Sequence, residues 1–290
     1  MFKALIETLR PRQWTKNLVI FAGLLFDGQF LQLTPFLRVL AAALLFCLVS
    51  GVTYTINDLL DVEADKLHPQ KRNRPIASGR LSKKVAIGVI IFLSIFSLVG
   101  GYLLSPSLAL IFVAYTLLIL AYSLWLKKVM ILDVLVIAAG FVLRVLAGLS
   151  IIQVAYFSPW LFVLTTLLAM YLAFGKRLAE LKLLETNAVS HRKTLDGYTI
   201  SLLNQYTMVI LTAILITYTF YTFSAHPGQS NYAMMLTIPF VVYGIFRYLY
   251  LIQSDLITSS PEEVLLKDRP LQVAIFLWGL SVLLIIYIVF

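Results

Sequence analysis

The residues best suited to chemistry lie together in Asn57-Asp58-Leu59-Leu60-Asp61-Val62-Glu63-Ala64-Asp65, followed at once by His68-Pro69-Gln70-Lys71-Arg72-Asn73-Arg74-Pro75. On a continuous helix Asn57, Asp61 and Asp65 recur every four residues and stack on one face, with Asp58 beside them. Like charges at that spacing repel, so the row costs stability unless a cation sits between them. Oxygen donors without a companion His or Cys suit Mg²⁺, which typically binds one or two carboxylates together with substrate phosphates. Asp58, Asp61 and Asp65 are therefore candidate catalytic residues, and with Asn57 candidate metal ligands. Lys71, Arg72 and Arg74 are candidate phosphate ligands, Arg as a bidentate fork and Lys as a point charge. The implied ligand is a Mg-diphosphate. His68 reads as a loop or capping residue.

The chemistry is set in an apolar chain of 290 residues, 60% apolar and 13% charged, against about 45–50% and 25% in soluble domains. This excludes an ordinary soluble domain and a disordered chain, and the single cysteine, Cys47, excludes an intrachain disulfide framework. Apolar runs near residues 18–35, 37–57, 83–104, 107–126, 131–152, 156–175, 203–224, 232–252 and 271–290 predict an all-α polytopic bundle of nine transmembrane helices, one domain over 1–290. Asp27 and Gly28 interrupt the first run. Phe2, Leu5, Ile6 and Leu9 predict a short interfacial helix ended by Pro11, with no cleavable signal peptide.

All Lys and Arg except Arg38, Arg144 and Arg247 fall on one side of this bundle, which the positive-inside rule makes cytoplasmic: N-terminus inside, C-terminus outside, in a bacterial-type plasma membrane. The net charge of +9 is thus mostly a topology signal, and no nucleic acid partner is implied. Every carboxylate but Asp27 falls on the same side, for which topology supplies no reason. The two long cytoplasmic loops, near 58–82 and 176–202, are the candidate catalytic loops and lie four spans apart, as in a faint internal repeat. Arg144, deep in the fifth span, requires a cavity or a partner. Lys16, and Lys127 with Tyr122 at the end of span four, are further phosphate candidates. Gly100, Gly101, Gly140 and Gly148 are read as close-packing positions.

The string Asn57-Asp58-x-x-Asp61-x-x-x-Asp65 and Arg74-Pro75-Ile76-Ala77-Ser78-Gly79 resembles the first motif of the UbiA superfamily of intramembrane prenyltransferases. The fuller run through His68-Pro69, Lys71-Arg72 and Arg74 resembles its decaprenyl-phosphate phosphoribosyltransferase branch. Arg10-Pro11-Arg12-Gln13-Trp14, Leu132-Asp133, Gly175-Lys176-Arg177 and Asp268-Arg269-Pro270 agree. The resemblance implies a nine-helix bundle using Mg²⁺, with phosphoribosyl diphosphate as donor, a polyprenyl (decaprenyl-type) phosphate lipid as acceptor, and the bilayer as setting. Most of the superfamily's prenyltransferases carry a second acidic motif after span six. This chain has Lys176 and Arg177 there, which a donor with an added 5-phosphate would require, and Glu180 as the acid left for a metal. The rivals are a UbiA-type prenyltransferase with a prenyl diphosphate donor and a membrane transporter. Oligomeric state is left open, a homo-oligomer included.

Overall fold

A computed structural model describes residues 2–69, 71–152, 158–186, 197–224, 232–253 and 267–289. Its helices are α1 (Phe2–Thr8), a 3-10 segment Pro11–Phe21, α2 (Ala22–Phe26), α3 (Leu33–Leu60), α4 (Val62–Leu67), α5 (Lys83–Leu104), α6 (Pro106–Leu124), α7 (Leu132–Leu149), α8 (Pro159–Thr186), α9 (Ile200–Ser224), α10 (Ile238–Gln253) and α11 (Arg269–Leu284). No strand occurs among the described residues, and eight helices there are long and apolar enough to cross a membrane. The chain is a multi-pass membrane protein.

The missing ninth is the expected first span, 18–35. In its place stand the 3-10 segment and α2, stopped at Asp27. Gly28, at φ 71, takes the left-handed conformation the turn needs, and the Asp27 carboxylate accepts a bond from Gln29. Side chains three apart eclipse on a 3-10 helix, so Asn17, Ile20 and Gly23 form one buried line. Pro11 does not end α1, which stops at Thr8. It opens the 3-10 segment instead, where its fixed φ and missing N–H cost nothing.

Contacts divide the chain into two compact units: Met1–Leu126 with Leu143–Ala155, and Lys127–Val142 with Tyr156–Phe290. In the first, α3 is the interior helix, more than half of its apolar stretch being buried, whereas α5 and α6 are mostly uncovered. Ile87, Ile91, Phe92 and Ile95 are exposed on α5; a bilayer solvates such a face, and water would not. Phe46, Phe112 and Tyr115 fill the interior, with edge-on rings 5.5 and 4.8 Å from Phe46. Arg144 is buried there. Its Nε donates to Asn17 Oδ1 at 2.7 Å and its Nη2 to the Tyr115 hydroxyl at 2.8 Å, with the guanidinium over the Tyr115 ring at 4.8 Å. The buried charge has the partners its position demanded.

Gly148 stands tightly against the 3-10 segment: a Cβ there would stand 1.9 Å from the carbonyl oxygen of Ile20. A backbone atom cannot yield as a side chain can. Gly148→Ala should therefore destabilise the protein by about 1–3 kcal/mol or more, read as a lower thermal midpoint in detergent; an unchanged midpoint would contradict this packing.

In the second unit α8 and α9 run antiparallel, since Trp160 stacks on Phe220 (5.4 Å) while Phe174 meets Tyr206 (5.3 Å). Helix α8 continues well past the expected end at 175, because Leu178 stays on the buried face. Lys176, Arg177 and Glu180 thus stand on a helix and not in a loop. Of the expected loop 176–202, residues 187–196 lie outside the described residues.

Candidate functional site

Helix α3 ends at Leu60, yet its hydrogen bonding runs on: Asp61 N–H donates to Asn57 O at 3.0 Å and Asp65 N–H to Asp61 O at 2.8 Å. The helical row expected from sequence therefore survives a small break at Asp61, and Asn57 Nδ2 donates to Asp61 Oδ2 at 3.1 Å. Asp58 and Asp65, seven apart and so two turns along one face, are both buried at 2% exposure. Two arginines neutralise them. Arg74 Nη1 lies 2.6 Å from Asp65 Oδ2 and 3.1 Å from Asp58 Oδ1, and Arg10 Nη2 lies 2.5 Å from that same Asp58 oxygen.

Both arginines are presented by built segments. Arg74 stands in a turn closed by Ser78 N–H on Arg74 O and Leu81 N–H on Pro75 O, each at 2.9 Å. That turn is held down by Ile76 and Leu81, which pack with Ala4, Val62 and Ala86. Arg80 of the same turn grips Glu7 of α1 with two bonds of 2.8 and 2.9 Å, and this bonding lowers the Glu7 pKa below the ordinary carboxylate value. Arg10 has φ 52, a left-handed conformation uncommon outside glycine, with its guanidinium 5.0 Å from the Tyr54 ring.

No three His, Cys, Asp or Glu among the described residues are gathered as a metal cage. Two carboxylates on one face, with Asn57 and Asp61 adjoining, are instead the partial oxygen set that Mg²⁺ completes with water and phosphate. Lys71 and Arg72 are exposed on a 3-10 turn beside them. His68 caps α4, its Nδ1 accepting Lys71 N–H at 3.3 Å. Lys16 and Tyr122 belong to this first unit and are half-buried.

Lys127, Lys176, Arg177 and Glu180 belong to the second unit. Lys127 is half-buried on a 3-10 turn and Lys176 is exposed. Arg177 is buried: its Nε meets Asp133 Oδ2 at 2.8 Å and its Nη1 meets Glu180 Oε2 at 2.9 Å. The side chain expected at a phosphate is thus engaged inside the unit, and so is the carboxylate of Glu180. Tyr198 completes the group, donating to Asp133 Oδ1 at 2.9 Å and accepting Ile131 N–H at 2.8 Å. Burial pushes the Tyr198 phenol up, so it remains a donor. Sequence reasoning missed Arg10 as a partner of Asp58, and Asp133 with Tyr198. An acid opening an apolar span, in a chain with Lys176-Arg177 at the end of another, was the available signal for Asp133.

A profile of the UbiA prenyltransferase family matches residues 18–261. The chain is 31% identical over 281 residues to the decaprenyl-phosphate phosphoribosyltransferase of Mycobacterium tuberculosis, covering 94% of this chain and 91% of the relative. It is 34% identical over 294 residues to that of Mycolicibacterium smegmatis, covering 96% and 91%. Among solved structures, a UbiA homologue of Archaeoglobus fulgidus bound to DMAPP and Mg²⁺ superposes with a TM-score of 0.72 at 19% identity, over 98% of this chain and 99% of that one.

Proposed function

This chain belongs to the UbiA prenyltransferase family, and we propose that it transfers 5-phosphoribose from phosphoribosyl diphosphate to a polyprenyl phosphate, releasing diphosphate. The observation that carries this reading is identity above 30% to decaprenyl-phosphate phosphoribosyltransferases over nearly the whole chain. In this reaction the bond from ribose C1 to the diphosphate oxygen breaks and its electron pair leaves with diphosphate, while an oxygen of the lipid phosphate bonds to C1. The acceptor is already an anion, so no protein base has to remove a proton. Attack opposite the leaving group inverts C1.

Asp58 and Asp65, with Asn57 and Asp61, would hold Mg²⁺, which when bound neutralises charge developing on the leaving diphosphate. The protein's own cations do the remaining electrostatic work. Lys71 and Arg72 are exposed beside the carboxylates, and Arg74 is already among them. The acceptor's chain stays in the bilayer, because each buried CH₂ contributes about 0.8 kcal/mol, and a multi-pass protein meets it there. The purified protein in detergent, offered labelled phosphoribosyl diphosphate and polyprenyl phosphates of several lengths, should form a labelled lipid and release diphosphate. A labelled lipid formed only from a prenyl diphosphate would turn the reading to prenyl transfer, and no substrate-dependent diphosphate release would favour a transporter.

Lys176 is the donor-selecting residue on this proposal, exposed on α8 where the prenyl-transferring relatives are expected to be acidic. Lys176→Gln should weaken binding of phosphoribosyl diphosphate by about tenfold and leave binding of plain diphosphate unchanged, since only the former carries the 5-phosphate. Equal weakening of both would remove Lys176 from the 5-phosphate.

A further inference from the structure

Asp58 Oδ1 accepts from Arg10 at 2.5 Å and from Arg74 at 3.1 Å, and Arg74 Nη1 also holds Asp65 Oδ2 at 2.6 Å. A carboxylate oxygen has two lone pairs, so two donated bonds use the capacity of Asp58 Oδ1. A cation taking that oxygen must displace a guanidinium. Charge leads to the same place: the two buried carboxylates and the two guanidiniums already cancel, so a divalent cation added with both arginines still in place is opposed by their like charge.

The displaced groups have somewhere to go. The side chains of Arg10 and Arg74 are 26% and 23% exposed, so each reaches solvent without crossing a core. Guanidinium matches diphosphate oxygens as well as it matches carboxylate, two bonds at a time. The left-handed backbone of Arg10 is held by its own hydrogen bonds, its N–H donating to Glu7 O at 3.2 Å and its O accepting Gln13 N–H at 2.9 Å, so the segment keeps its course when the side chain leaves Asp58 and the Tyr54 ring.

We propose that Arg10 and Arg74 are exchangeable counter-cations, which pass from Asp58 and Asp65 to the diphosphate of the donor when a divalent cation takes the carboxylates. Arg10 thereby becomes a substrate-binding residue, and cation and diphosphate bind as a pair, each weakly without the other. The inference rests on the reading of Asp58 and Asp65 as cation ligands. It adds that the arginines compete with the cation and cooperate with the anion.

Opposite signs test it. In equilibrium dialysis of the full chain in detergent, Mn²⁺ alone and the preformed Mn²⁺-diphosphate complex are the two probes. Arg74→Gln should tighten Mn²⁺ alone about tenfold and weaken the complex about tenfold. Arg10→Gln, on a different segment, should repeat the pattern should the first variant fold poorly, and Arg74→Lys should restore part of the difference. If both probes tighten together, the arginine only shields the carboxylates; if both weaken together, it only braces the site. Either result overturns the exchange and leaves the cation site standing. If the unaltered protein binds neither probe, the cation-site reading falls, and the exchange with it.

Discussion

Asp65→Asn is expected to lower kcat/KM by about a thousandfold at saturating Mg²⁺, the rate equivalent of roughly 4 kcal/mol. The change is isosteric, so no cavity opens. It removes the charge that a cation would bind, and it leaves Arg74 with Asp58 alone, the oxygen Arg10 also occupies. Asp58→Asn should be as damaging, because Asp58 joins both arginines. Asp61→Ala should cost less, since Asp61 is half-buried, whereas Asp58 and Asp65 are buried. With Asp58 and Asp65 at 2% exposure, loss of either charge should also destabilise by about 1–3 kcal/mol. The assay is therefore run below the variants' measured melting range, and wild-type turnover by Asp65→Asn would remove the carboxylates from the reaction.

A span is legible where both ends of an apolar run are marked: Lys83-Lys84 opens 83–104 and Ser105-Pro106 follows it, and the helix has those bounds. Such markers mislead in two places for opposite reasons. Around Lys176-Arg177, charge signalled the end of a span, but Leu178 kept the buried spacing and the helix ran to Thr186. In 18–35, apolar character signals a span, but Asp27 and Gly28, which interrupt the run in sequence, fix a turn there. In the candidate site the local part was readable, because Asn57, Asp61 and Asp65 are related by helix period alone. Its counter-cations were not, since Arg10 is 48 residues from Asp58 and no local pattern ties a left-handed residue before a proline to a carboxylate two helices on. Arg144 was halfway: its depth demanded a partner, and only the structure could say that Asn17, 127 residues away, and Tyr115 supply it.

The pair Asp133 and Arg177 illustrates how a charge read as functional can be structural, and it gives the largest expected effect on stability. Asp133 is 0% exposed and Arg177 2%. Removing one partner of a buried ion pair costs about 3–5 kcal/mol, because the other charge remains without it. Asp133→Ala should fall in that range, moderated by the Glu180 carboxylate that Arg177 retains at 2.9 Å. It also takes the acceptor from Tyr198, whose hydroxyl holds Ile131 N–H. Ile131 is a β-branched residue at φ 70, a backbone state that needs such support. Removing both charges at nearly constant volume removes the desolvation cost together with the attraction, so Asp133→Asn with Arg177→Met, which also keeps an acceptor for Tyr198, should regain part of the lost thermal midpoint. If Arg177 serves only its carboxylate partners Asp133 and Glu180, turnover should recover with it. A double variant that is stable but inactive would return Arg177 to the substrate phosphate, and Asp133→Ala melting with the wild type would mean that the buried pair stabilises nothing.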